Sequence, residues 1–157
     1  ASYVSLVAIQ TFSNFFVGQF IDAIILGLMV GITLWLFNIS YATTIACVLG
    51  LTALIPMLGF YIGAIMGGII LLTVSPMEAL IYIIIVEVLH QVETNFIYPA
   101  IVGDSVGLPG LWVFAAVIIG GSLAGVTGML IGVPLIATLY KLLMTDVERR
   151  LSFYEDV

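Results

Sequence analysis

Residues 20–38 read FIDAIILGLMVGITLWLFN. Wound as an α-helix at about 1.5 Å per residue, this stretch reaches about 28 Å, close to the hydrocarbon thickness of a bilayer. Its one charged residue is Asp22. Placed in a first helical turn, that carboxylate is favoured by the helix dipole, the reading preferred here over a role in transport. Asn38 and Ser40 close the stretch. Residues 20–38 therefore read as a membrane span.

The surrounding sequence is equally apolar. From Ala23 to Met77, 55 residues pass without an Asp, Glu, Lys or Arg, and from Ser105 to Tyr140 another 36 do so. Hydrophobic residues make up 63% of the 157 and charged residues 8%, against roughly 45–50% and about 25% in an average globular domain. A soluble chain of this size has too much surface to hide so much oil. The expected fold class is all-α: a polytopic membrane helical bundle. Residues 1–145 form the membrane domain and 146–157 a water-facing tail.

The net charge is −6, and the only basic residues are Lys141, Arg149 and Arg150. Nucleic acid is excluded as a partner, because phosphate binding needs clustered cations. The same three residues place the C-terminus on the cytoplasmic side by the positive-inside rule. Cys47 stands alone in an apolar run and is expected to be buried. The N-terminus lacks the basic region of a cleavable signal peptide. The chain begins at Ala1, not Met, which leaves room for an upstream portion.

Residues 1–19 carry small polar groups among aromatic and aliphatic ones. They read either as the end of a helix at an interface or wet cavity, stopping at Gly18, or as an ordinary packed span. Residues 41–74 are apolar but interrupted by IPMLG at 55–59. Proline removes a backbone donor and crowds the preceding turn. Either two short helices meet at Pro56, or the segment dips into the membrane and returns. Ser75-Pro76-Met77-Glu78 is a helix start, with Ser at the N-cap, Pro at the first position and Glu at the third. That helix is expected to run to Tyr98, because Pro99 disfavours helical geometry before it. Residues 99–110, PAIVGDSVGLPG, read as a loop. Residues 111–144 repeat the broken pattern, with GGSLAG at 120–125, then Gly128, Gly132 and Pro134. Glycines recur four apart at 27/31, 59/63/67, 121/125 and 128/132, a spacing that lets helix backbones approach closely.

The scarcest side chains cluster in EVLHQVETNFIYP, residues 87–99. At about 100° per residue, Glu87, His90, Gln91, Thr94, Asn95 and Tyr98 fall on one stripe of a helix, with Glu93 on its flank. An ionisable group at the bilayer centre costs at least about 2.5–3.5 kcal/mol, and such groups normally face a bundle interior or a water-filled path. These seven residues are the candidate lining of a substrate or ion path. The bland alternative is that 93–98 simply emerge into headgroups, which accounts poorly for Glu87.

No catalytic constellation is visible. Glu87-Val-Leu-His90 matches half of a carboxylate-bridged metal motif, but with one histidine the second copy is missing. There is no His-Glu-x-x-His and no phosphate loop. The expectation is a non-enzyme with no cofactor and no metal.

Four segments in order carry a family resemblance: Gly18-Gln19, IPMLGFYIG (55–63), HQVETNFIYPAIVG (90–103) and GGSLAGVTGMLIGVP (120–134). The chain resembles the C-terminal half of the autoinducer-two exporter family of bacterial permeases. The resemblance implies a secondary transporter in a bacterial inner membrane. It would export a small polar solute such as autoinducer-two, or exchange Na+ or Li+ for H+, as a homo-oligomer of pentameric type. The matching positions are Gly18, Gln19, Pro56, Gly59, Gly63, Gln91, Glu93, Pro99, Gly103, Gly121, Gly125, Gly128 and Pro134. Thr94 stands where a glycine is frequent in the family, and Leu108-Pro109-Gly110 also departs from its pattern. The combined reading is a path lined by the 87–98 stripe. Helix breaks at Pro56, Gly59 and Gly63, and at Gly120, Gly121, Gly125, Gly128 and Pro134, lie on either side of it. The rival readings are a structural or assembly subunit and a passive channel.

Overall fold

The computed structural model describes residues 2–103 and 108–155, and among them there is no strand. The helices are α1 (Ser2–Leu36), α2 (Ala42–Thr52), α3 (Gly59–Leu72), α4 (Pro76–Val92) and α5 (Gly110–Glu155). α4 continues through two π-helical turns, π1 (Glu93–Ile97) and π2 (Pro99–Gly103). The expected all-α membrane architecture is what the chain adopts. Three of the described helical stretches, Tyr3–Leu36, Pro76–Ile101 and Gly110–Glu148, are long and apolar enough to cross a membrane. The outward faces are oily: Trp35 is 71% and Phe96 74% exposed, as lipid-facing side chains are.

The chain divides into two compact units, Val17–Asp104 and Ala1–Phe16 with Ser105–Val157. The larger unit is built on one stripe of α1. Ala23, Leu26, Val30 and Leu34 recur at helical spacing and are buried together with Ile45, Leu49, Phe60, Leu71, Ala79, Tyr82 and Val86. α1 ends in a Schellman motif. Asn38 takes the left-handed conformation at φ 54°, Ile39 N–H donates to Leu34 O at 3.0 Å, and Asn38 N–H to Trp35 O at 3.1 Å.

α2 and α3 form the broken hairpin expected around Pro56. Their 11 and 14 residues reach only about 16 and 21 Å, too short for a complete crossing. The glycines explain how closely they pack. A Cβ on Gly59 would strike the Thr52 carbonyl, one on Gly63 would come within 2.9 Å of Leu49 Cα, and one on Gly67 within 2.9 Å of Ile45 Cγ2. Those pairings run in opposite directions, so the two helices are antiparallel. Gly27 meets Ala46 and Gly50 in the same way, joining α1 to α2. Glycine spacing thus reports backbone contact here, as expected.

The start of α4 follows the sequence closely. Ser75 is the N-cap, its side chain accepting from Glu78 N–H, with Pro76 at the first position. The Glu78 carboxylate accepts from Ser40 N–H at 2.8 Å and from Ser40 Oγ at 3.3 Å, so it ties α4 to the turn after α1.

In the smaller unit, α5 is not one straight rod. Ala124 and Gly125 leave helical geometry, with Gly125 at φ 58°. Gly120 lies against the Gly128 backbone, and Gly132 against Ala116 O. α5 therefore doubles back within the expected GGSLAG break. It then continues past Pro134 and through the tail to Glu155, with no change of structure at residue 145.

Several expectations fail. Of the two readings of residues 1–19, the one that stops a helix at Gly18 is not what α1 adopts, because one glycine costs only about 1 kcal/mol against alanine in a helix interior; Asp22 is consequently deep in α1 and not in a first turn. The helix of residues 76 onward does not stop at Tyr98, which keeps helical geometry at φ −58°, ψ −46°. Residues 99–103 are π-helical where a loop was expected, while 104–107 lie outside the described residues. Cys47 is exposed. α2 presents that side to an apolar groove, and an outward membrane face does not exclude small apolar residues as a water-facing one does.

Candidate functional site

The polar residues of α4 divide between two faces. Glu93 extends the buried stripe Ala79, Tyr82, Val86, and is itself 5% exposed. Spacings of three and four place it under that core. Glu87, Gln91 and Asn95, four apart, lie on an exposed face. Gln91 Nε2 donates to Glu87 Oε1 at 3.1 Å. Asn95 Nδ2 donates to Gln91 O at 2.7 Å. These three form a continuous polar ladder beside Ile84, Val88 and Phe96, which are also exposed.

On the inner side, α1 supplies Gln19 and Asp22, 3% and 4% exposed. They fall on the stripe of Ala23 and Leu26, so the register that buries the core also buries them. Asp22 and Glu93 lie near each other. Gln19 Nε2 donates to Ala53 O at 2.7 Å, where α2 gives way to the Pro56 turn. Pro56 itself is fully buried. Gln19 Oε1 and Asp22 Oδ1 are buried acceptors that no donor reaches among the described residues.

His90 sits between the two faces. Its Nδ1 is 3.2 Å from Glu93 Oε2. Its ring stacks on Phe60 at 3.7 Å between centroids and 6° between planes, and Tyr61 meets it edge-on. Phe60 and Tyr61 open α3, so the break at Pro56 brings aromatic rings to the level of the acids. Thr94 Oγ1 donates to Glu93 Oε2 at 3.2 Å.

The π turns account for Tyr98. In an ordinary α-helix, positions 93 and 98 point about 140° apart. A π turn instead bonds residue i to i+5, and Tyr98 N–H reaches Glu93 O. Tyr98 therefore lies beside both Asp22 and Glu93. The wider turn also relieves the crowding that Pro99 would impose four residues back. Of the seven candidate residues, His90, Glu93, Thr94 and Tyr98 gather around the acid pair, while Glu87, Gln91 and Asn95 make the outer ladder.

Sequence reading missed Asp22 as a member of this site. The available signal was its four-residue register with Leu26, Val30 and Leu34, hidden by starting the helix at residue 20. Among the described residues, no group of three or more His, Cys, Asp or Glu is placed to hold a metal.

Apolar spans, a broken helical hairpin and ionisable side chains buried between helices define a polytopic membrane protein with a polar interior. The family model described as AI-2E family transporter matches residues 3–147, and the chain belongs to that family. It is 34% identical over 133 residues to "Putative transport protein YrrI" of Bacillus subtilis, an alignment covering 85% of this chain and 38% of that protein. It is 29% identical to "Putative transport protein YueF" of the same organism, covering 82% and 35%. It is 27% identical to "Putative transport protein sll0060" of Synechocystis, covering 87% and 39%. The chain thus spans well under half the length of these relatives. No solved structure matches it.

Proposed function

We propose that this chain is part of a secondary transporter of a bacterial inner membrane. It exports a small polar solute of the autoinducer-two kind or exchanges Na+ or Li+ for H+. The C-terminal tail faces the cytoplasm, and the protein works as a homo-oligomer, a pentamer by family analogy. The observation that carries this reading is the polar ladder Glu87–Gln91–Asn95. It lies exposed in the second half of an apolar spanning helix. An ionisable group so placed against lipid costs at least about 2.5–3.5 kcal/mol. Facing a hydrated path removes that cost. The hairpin break at Pro56 supports the same reading, since interrupted helices offer free backbone groups to solutes and ions.

The test is flux in proteoliposomes with Glu87→Gln and Gln91→Ala, together with labelling of single cysteines at 87, 91 and 95. Loss of flux and reaction with a charged thiol reagent from the aqueous phase are expected. Unchanged flux, with all three cysteines inert to that reagent, overturns the path.

A second reading has its own observation. An apolar groove of about 710 Å³ between α1 and α2, lined by Phe20, Gly27, Gly31, Cys47 and Gly50 among others, suits helix packing. It favours an assembly role for that face, which is compatible with transport at the other.

A further inference from the structure

The groove between α1 and α2 ends beside a lone carboxylate. We propose that this groove holds one acyl chain of a membrane phospholipid, and that Glu78 selects a lipid whose headgroup carries an ammonium. Neither part depends on the transport reading.

The floor decides between a chain and a helix. A Cβ on Gly27 would stand 3.5 Å from Gly50 Cα, one on Gly31 3.0 Å from Ala46 Cβ, and one on Gly50 3.2 Å from Ala23 O. Small residues let a helix backbone come close, and these are already used in seating α2 on α1. What remains of the groove, about 710 Å³, is a furrow above them. Its walls are large side chains, with Ile24 and Leu28 each 60% exposed and Leu51 69%. A helix is about 10–12 Å across with its side chains, so a partner helix would ride on those walls. An unbranched hydrocarbon lies between them. An assembly role for this face needs only the walls.

The length agrees. The α2 lining runs from Thr43 to Leu54, about 16 Å of helix. A hydrocarbon core of about 30 Å is made of two leaflets, so one acyl chain reaches about 15 Å.

The mouth is at the Trp35 end. The pairs Gly31–Ala46 and Gly27–Gly50 run in opposite directions, so Trp35 and Thr43 line the same end of the groove. Trp35 and the nearby Tyr41 are 71% and 60% exposed, and such aromatic rings gather at headgroup level. The groove is therefore continuous with the lipid-facing surface. Ser40 stands in the turn that leads into α2, and its N–H and hydroxyl hold the Glu78 carboxylate. A carboxylate has about four acceptor sites, of which Ser40 takes two. Between Asp22 and Glu87, Glu78 is the only charged residue, and no Lys or Arg occurs before Lys141. An anionic headgroup thus finds no lysine or arginine in the Val17–Asp104 unit, while an ammonium finds a carboxylate at the mouth.

Tryptophan fluorescence tests this on the purified full chain in bilayers. Bromine on an acyl chain quenches a tryptophan that it touches. The chain has two tryptophans, so Trp112→Phe leaves Trp35 to report the groove, and Trp35→Phe leaves Trp112 on α5 to report ordinary lipid. The host is unbrominated phosphatidylglycerol. The probes, each a minor fraction, are phosphatidylethanolamine or phosphatidylglycerol with the same brominated chains. Brominated phosphatidylethanolamine is expected to quench Trp35 as if enriched about threefold or more over brominated phosphatidylglycerol, the scale of one exposed ion pair. Trp112 should show no enrichment. Glu78→Gln, whose amide oxygen can still accept from Ser40, should abolish it at Trp35. Cys47→Phe and Thr43→Phe, which fill the groove from exposed positions of α2, should do the same. Circular dichroism confirms that each variant is helical. Trp35 quenched alike by both lipids overturns the proposal, as does enrichment that survives Glu78→Gln or either groove-filling substitution. Trp35 shielded from both lipids in the otherwise unaltered chain shows a protein segment seated in the groove, and overturns it too.

Discussion

The Gln19 Nε2 donates to the carbonyl oxygen of Ala53 at 2.7 Å, a buried bond spanning 34 positions of sequence. It joins the middle of α1 to the place where α2 ends and the chain turns at Pro56. A backbone carbonyl freed by a helix end inside a membrane has no water to turn to, and the Gln19 amide is its donor.

Replacing Gln19 with Leu therefore leaves a buried carbonyl without a partner. A loss of about 1–3 kcal/mol is expected, read as a lower midpoint of thermal unfolding in detergent. An unchanged midpoint would show that the α2 end is held by other contacts.

The hairpin glycines make a paired prediction. A Cβ at Gly63 would lie 2.9 Å from Leu49 Cα, whereas one at Gly68 meets nothing closer than Tyr82 Cε1 at 3.9 Å. Gly63→Ala is expected to cost about 1–3 kcal/mol through overpacking. Gly68→Ala is expected to be neutral or to gain up to about 1 kcal/mol from helix propensity. Equal effects at both positions would contradict the antiparallel α2–α3 contact.

Glu78 and Ser40 give an asymmetric pair. The shorter of their two bonds uses the backbone N–H of Ser40, at 2.8 Å, which survives Ser40→Ala. Glu78→Ala removes both. Glu78→Ala should therefore lower the unfolding midpoint more than Ser40→Ala, and Ser75→Ala should cost about 0.5–2 kcal/mol as a lost N-cap.

Cys47 is exposed but lines the apolar α1–α2 groove. In detergent it should react with a small maleimide. In intact vesicles a charged, membrane-impermeant maleimide should leave it unmodified from either side. Rapid modification by the charged reagent would place the groove in water.

Much of this architecture was legible because its rules are local. The N-cap at Ser75 follows from four consecutive residue types, and the break at Pro56 from one ring that cannot donate. Glycines at a spacing of four gave the close-packed faces. Asp22 and Glu93 were harder to place, because a polar side chain on an apolar helix can be inside or outside. The choice depends on which stripe the neighbouring helices cover, and in a lipid-facing protein both stripes are oily. The continuation past Pro99 was illegible for a different reason. Proline's exclusion from helices holds for α winding, and the chain evades it by changing the winding.

That change of winding has a cost in tolerance. A π turn stores one residue more than the α turn that would replace it. Rewinding 93–98 as an ordinary α-helix at unchanged length would leave Tyr98 pointing about 140° from Glu93, and the phenol would swing away from the acids with no side chain altered. Removing one residue between them would instead restore the commoner pitch and keep Tyr98 on the side of Glu93, one turn away. Winding and length are coupled over this stretch.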